Sequence, residues 1–215
     1  MQLLFFSLVI GYAIGMFQTG YFVGKYYGID IREFGSKNAG MTNVNRTLGK
    51  FPALFVFVLD VLKAVLAFVL VPVALLDVSW SLAEWSHIFH SEVMFQNMLP
   101  LLSGLGAILG HNFPFYLKFR GGKGIACTLG IILMQGLPVA LIAYAIGFIL
   151  VAAFRYISLS SLAITLVWPV LLFFFGLGAE IVLLAGAISA LAWFMHRDNI
   201  SRLISGTERK FKLGK

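Results

Sequence analysis

The chain has 215 residues, 60% of them hydrophobic and only 12% charged, with a mean hydropathy of +0.93. A soluble domain carries roughly 45–50% apolar residues, so the composition excludes that class and points to a membrane protein. The net charge of +7 would suit a nucleic-acid binder, but in a membrane chain basic residues first report orientation, and no nucleic-acid partner is expected.

A bilayer core of about 30 Å takes about 20 apolar residues in helix. Residues 1–23 lack a basic stretch ahead of their apolar run and a small-residue cleavage site, so they read as a retained first span over 3–23 rather than a leader. Further spans are predicted over 52–76, 98–116, 122–136, 138–154, 160–176 and 178–195. Gly136 with Pro138, and Gly176 with Gly178, mark tight turns between the later ones. No stretch reads as a linker, a low-complexity tract or a repeat, so residues 1–215 form a single domain. Cys127 is the sole cysteine; it excludes an intramolecular disulfide and paired-thiol sites and reads as a buried thiol among apolar neighbours.

Seven spans divide the connecting segments into two sets. One set, comprising 24–51, 117–123, Arg155 and the tail from Arg197, holds fifteen of the sixteen Lys and Arg residues. The other, chiefly 77–97, holds none and carries Asp77, Glu84 and Glu92, with Glu180 at the last short turn. The positive-inside rule makes the basic set cytoplasmic. The expected fold is an all-α integral membrane protein, a single bundle of seven transmembrane helices with the N-terminus outside and the C-terminus cytoplasmic. Trp80, Trp85, His87 and His90 in the outer segment suit an interfacial aromatic belt.

The cytoplasmic segments carry more than cations. In "REFGSKNAGMTNVNRTLGK", residues 32–50, Gly35, Gly40 and Gly49 permit close backbone approach, Ser36, Asn38, Thr42 and Asn43 supply neutral polar groups, and Lys37, Arg46 and Lys50 supply charge. That mixture suits a phosphate. In "HNFPFYLKFRGGKG", residues 111–124, the spacing is not that of a P-loop, since Gly124 follows Lys123 where a hydroxyl is required. Backbone amides near Gly121 and Gly122 at a helix start, beside Lys123, would nevertheless attract an anion. For both segments the alternative is a solvated loop that orients spans and touches anionic lipid.

"RYISLSS", residues 155–161, sets Ser158, Ser160 and Ser161 at a membrane boundary, where serines often bond only their own backbone. "HRDNISRLISGTERK", residues 196–210, begins where the seventh span ends. His196 and Asn199 share a face there if the helix continues, and an interfacial basic anchor is the alternative. Asp60 and Lys63 lie three apart inside the second span, where charge is costly unless paired. An i, i+3 ion pair suffices to explain them; otherwise they support the site from beneath.

These four motifs, in this order and with "LDVLKA" at 59–64, resemble the acyl-phosphate:glycerol-3-phosphate acyltransferase (PlsY) family of bacterial phospholipid synthesis along essentially the whole chain. Lys37 and Ala39 fill the variable places of the family pattern, and Met41 intervenes between Gly40 and Thr42. The resemblance implies transfer of a fatty acyl group from acyl phosphate to the 1-position hydroxyl of glycerol 3-phosphate, giving lysophosphatidic acid and phosphate, the first step of that synthesis. It implies that Ser36 and Arg46 hold phosphate, Lys123 neutralises phosphate charge, Ser161 or Ser158 joins them, and Asn199 orients the glycerol part. His111, His196 and Glu208 are further candidates. The implied setting is the bacterial cytoplasmic (inner) membrane, with lipid around a monomer and no cofactor or metal.

An acyl phosphate is already activated, so no covalent enzyme intermediate is required. A His-x4-Asp base pair is absent from the sequence, and a substrate phosphate is expected to take the proton while Lys123 and Arg46 hold it. Two rival classes fit less well. Metal-dependent phosphotransfer needs clustered carboxylates, and the cytoplasmic segments offer only Asp30, Glu33, Asp198 and Glu208. A transporter needs polar residues across mid-membrane depth, where only Asp60 and Lys63 stand.

Overall fold

Helices lie at every predicted span in the computed structural model, which describes residues 2–76 and 94–211. They are α1 (Gln2–Gly15), α2 (Thr19–Tyr26), α3 (Met41–Leu48), α4 (Lys50–Leu76), α5 (Met94–Asn112), α6 (Ile125–Met134), α7 (Leu137–Phe154), α8 (Ile157–Phe174), α9 (Ala179–Met195) and α10 (Arg197–Ile204). Among the described residues four helical stretches are long and apolar enough to cross a membrane, Gln2–Tyr26, Lys50–Pro72, Leu137–Phe154 and Ile157–Phe174. A fifth is counted if α9 and α10, bent by 63°, form one span. The predicted aromatic belt on Trp80, Trp85, His87 and His90 lies outside the described residues.

Several boundaries differ from the sequence expectation, for identifiable reasons. The first span is broken at Met16–Gln18, because other helices take over the freed polar groups. Lys63 Nζ donates to Phe17 O at 2.6 Å and Tyr116 Oη to Met16 O at 2.8 Å, so both freed carbonyls find partners within the protein. The third ends at Asn112 instead of 116, since Pro114 disfavours helix at the residue before it. The fourth has only 10 residues, Ile125–Met134, or about 15 Å of helix, well short of a bilayer core. Gly124, at φ +77°, delays its start.

α1 and α5 pack backbone to backbone. A Cβ on Gly11 or Gly15 would overlap the carbonyls of Ser103 or Ala107, and one on Gly106 or Gly110 those of Leu8 or Tyr12. Each helix carries glycines four apart, a spacing that lets membrane helices approach closely. Ser7 Oγ seals this seam with a 2.7 Å bond to Leu99 O. The main apolar core joins α4 to α9 through Ala64, Ile108, Ile131, Trp168, Leu172 and Ile188. Outward faces stay apolar, with Phe148 on α7 75% exposed and Leu183 on α9 73% exposed, as lipid contact requires.

Candidate active site

The loop before α3 is organised by one buried amide. Asn43 Nδ2 donates to the carbonyls of Ile31, Phe34 and Asn38 within 3.0 Å, and its Oδ1 accepts from Ser36 N at 2.7 Å. Gly35, at φ +58°, is required here, because a Cβ would strike Asn43 Oδ1. Asn38 Oδ1 accepts from Gly40 N at 2.9 Å, so Asn38 turns the chain into α3. Thr42 and Arg46, four apart on α3, then share a face. Arg32, paired with Asp30 at 2.7 Å, reaches Leu117 O at 3.2 Å and ties this loop to the next.

That next loop folds back on the end of α5. Gly121 N donates to Asn112 O at 3.1 Å and Gly122 N to His111 O at 2.9 Å. The expectation that these two amides cradle an anion is therefore corrected: both are spent inside the protein. The glycines instead let the loop lie against α5, since Cβ atoms would overlap His111 O at Gly121 and His111 Nε2 at Gly122. Lys123 is carried forward and donates to Asn199 Oδ1.

The C-terminal segment closes the other side. Gly206, at φ +69°, reverses the chain after α10, so Glu208 returns to meet Arg202 Nε at 2.7 Å, Asn199 Nδ2 at 2.8 Å and Ser158 Oγ at 3.1 Å. Burial alone would raise the Glu208 carboxyl, but these bonds outweigh it and hold the group below its ordinary value. His196 Nδ1 donates to Ala192 O at 2.7 Å, leaving Nε2 as acceptor. Burial, then the nearby Lys123 charge, pushes its pKa down to about 4. Burial and then Arg202 lower Lys123 to about 8, and Arg46 is lowered by burial and by Arg209.

One cavity of about 650 Å³ is lined by Ser36, Asn38, Thr42, Asn43, Arg46, His111, Gly121, Gly122, Lys123, Ser158, Ser161, His196, Asn199 and Glu208. Every candidate residue therefore meets at one place. Their availability differs: Asn43 spends its amide within its loop, and Ser161 Oγ bonds its own helix at Ile157 O. Asn112, Arg202 and Arg209 also line the cavity and were missed. The Asn199–Arg202 spacing of one helical turn was a usable signal, whereas nothing local marked Asn112. Lys37, Arg46, Lys123, Arg202 and Arg209 give the cavity an excess of positive charge, while Phe57, Ile125, Leu129, Ile157 and Ile164 add apolar surface to its lining. Asp60 reaches it from below, paired with Lys63 at 2.8 Å.

The model of the family described as glycerol-3-phosphate acyltransferase matches residues 5–206. A glycerol-3-phosphate acyltransferase of Trichlorobacter lovleyi is 39% identical over 207 residues, covering 96% of this chain and 97% of that one. One from Thermoanaerobacter sp. (strain X514) is 37% identical over 205 residues, covering 95% and 93%. The crystal structure of PlsY, an integral membrane glycerol 3-phosphate acyltransferase, in its glycerol 3-phosphate form superposes with a TM-score of 0.81 at 32% identity, over 97% of this chain and 96% of that one. Its lysophosphatidic acid form gives 0.76 at 31% identity, over 99% and 95%.

Proposed function

The chain belongs to the glycerol-3-phosphate acyltransferase family, and on that premise we propose that it transfers a fatty acyl group from acyl phosphate to the 1-hydroxyl of glycerol 3-phosphate. The observation that carries this reading is the cavity's mixed lining of cations and apolar side chains. Arg46, Lys123, Arg202 and Arg209 line it and match phosphate charge. Phe57, Ile125, Leu129 and Ile164 also line it and match an acyl chain. A donor that is phosphate at one end and hydrocarbon at the other suits both.

Lys123 and Arg46 hold phosphate, with Ser36 as a neutral donor, and Asn199 orients the glycerol moiety. Thr42 and Asn38 complete the phosphate side, Ser158 and Glu208 keep Asn199 in place, and Asn43 shapes the loop. The hydroxyl oxygen attacks the acyl carbonyl carbon; the carbon–oxygen bond to phosphate breaks, and its electron pair leaves with phosphate. The hydroxyl proton passes to a substrate phosphate, whose second pKa of about 6 makes it a better acceptor than His196 at about 4. His196 instead accepts a hydrogen bond through neutral Nε2.

The same reading makes the protein a seven-span monomer of the bacterial inner membrane, N-terminus outside, with its site on the cytoplasmic face. The charge asymmetry of the loops supports that orientation. The deciding assay offers purified protein palmitoyl phosphate, palmitoyl-CoA and palmitoyl-carrier protein in turn. Phosphate release from palmitoyl phosphate, only when glycerol 3-phosphate is present, is expected. Activity with the thioesters alone overturns the reading.

A further inference from the structure

We propose that His111 and Asn112, consecutive residues ending α5, form the oxyanion hole of this reaction, His111 through Nε2–H and Asn112 through its side-chain Nδ2–H. The proposal rests on acyl phosphate being the donor, and it assigns the group that takes the acyl carbonyl oxygen.

The imidazole tautomer follows from Lys63. An ammonium has three hydrogens and no acceptor, and Lys63 Nζ has three acceptors around it. They are Phe17 O at 2.6 Å, Asp60 Oδ1 at 2.8 Å and His111 Nδ1 at 2.9 Å. His111 Nδ1 therefore accepts, and the ring proton sits on Nε2. Asp60, held by Thr19 Oγ1 at 3.0 Å, balances the Lys63 charge, so the ring stays neutral. Lys63 and Asp60 are positioning residues.

Nε2 lies against Gly122, in the space where a side chain would stand. The absent Cβ leaves this N–H beside the cavity that both residues line. Asn112 supplies the independent observation. It is 1% exposed, lines the same cavity, and its Nδ2 and Oδ1 have no hydrogen-bond partner. A buried amide left unpaired is costly, and a ligand oxygen placed at Nδ2 would satisfy its donor half. Its amide abuts Gly124, with Oδ1 the nearer atom, as His111 Nε2 abuts Gly122, so two glycines make room for the amide and the imidazole.

Neutral donors suit the carbonyl better than the phosphates. Phosphate charge is met by Lys123 and Arg46, whereas the carbonyl is neutral at first and gains charge only as the hydroxyl adds. Donors fixed in advance at that point stabilise the transition state selectively. The carbonyl also joins phosphate to chain, and His111 and Asn112 line the cavity together with both Lys123 and Ile125. Neither residue gains or loses a proton during transfer.

The test combines single-turnover kinetics with spectroscopy of the unmodified protein. His111→Phe and Asn112→Leu are each expected to lower kcat by about 10²–10³-fold with little change in KM for either substrate, and His111→Gln, which keeps an N–H donor, to recover part of the loss. Unchanged kcat, or a loss confined to KM, overturns the proposal. Palmitoyl phosphonate labelled with ¹³C at its carbonyl, bound to wild-type protein, is expected to show a lowered infrared carbonyl frequency; a band at the free position overturns it even if a variant fails to fold. Wild-type protein that makes no lysophosphatidic acid from palmitoyl phosphate refutes the donor reading itself, whereas active wild-type protein with an unshifted carbonyl refutes only the oxyanion hole.

Discussion

The Lys123 ammonium donates to Asn199 Oδ1 across 76 residues of sequence, joining the glycine loop behind α5 to α10. Asn199 passes the tie to Glu208, so one chain of bonds runs from the RGGKG segment to the tail.

Replacing Lys123 by Ala is expected to reduce kcat/KM by about 100-fold or more. Lys118→Ala, at a side chain outside the cavity lining, should change it by only a few-fold. Assays with palmitoyl phosphate and glycerol 3-phosphate compare them.

The same lysine sets an alkaline limb. A phosphate-binding cation must be protonated, and Lys123 has a pKa of about 8, so kcat/KM is expected to fall as pH rises through about 8. In Lys123→Arg the limb should move up and out of range, because guanidinium stays charged. A limb that stays in place in the variant contradicts the assignment.

Glu208 links acid stability to the site. Its pKa is lowered in the folded protein, so its contribution is present above the unfolded pKa and is lost as pH falls through the folded one. Glu208→Ala should cost about 1–3 kcal/mol by stranding Ser158 and Asn199. Apparent Tm in detergent at pH 7 and in acid measures it: the gap between variant and wild type should narrow in acid.

Asn43 and Ser36 separate shape from contact. Asn43→Leu strands Ser36 N and the carbonyls it joins, and should lower both activity and Tm. Ser36→Ala should raise KM with Tm unchanged, as side-by-side melts and kinetics would register.

Gly106→Val tests the α1–α5 seam. A Cβ there overlaps Leu8 O, so the helices must part, and loss of folded yield is expected. Gly186→Val on α9, whose Cβ meets nothing, should leave yield intact.

Much was legible in the chain itself. Hydropathy located the long apolar helices because an apolar run in lipid must satisfy its own backbone bonds, and the polar motifs interrupting such runs stand out; the family resemblance then singled out Ser36, Arg46, Lys123 and Asn199 within them. The break at Met16–Gln18 was invisible, since Lys63 and Tyr116, both far from it in sequence, take its carbonyls. Tertiary structure alone decided that Gly121 and Gly122 serve by lacking side chains rather than by donating amides. It also decided that Asn112, ordinary by sequence, is buried without a partner. Both outcomes depend on what a folded neighbour brings within hydrogen-bond reach, and a linear pattern carries no such distance.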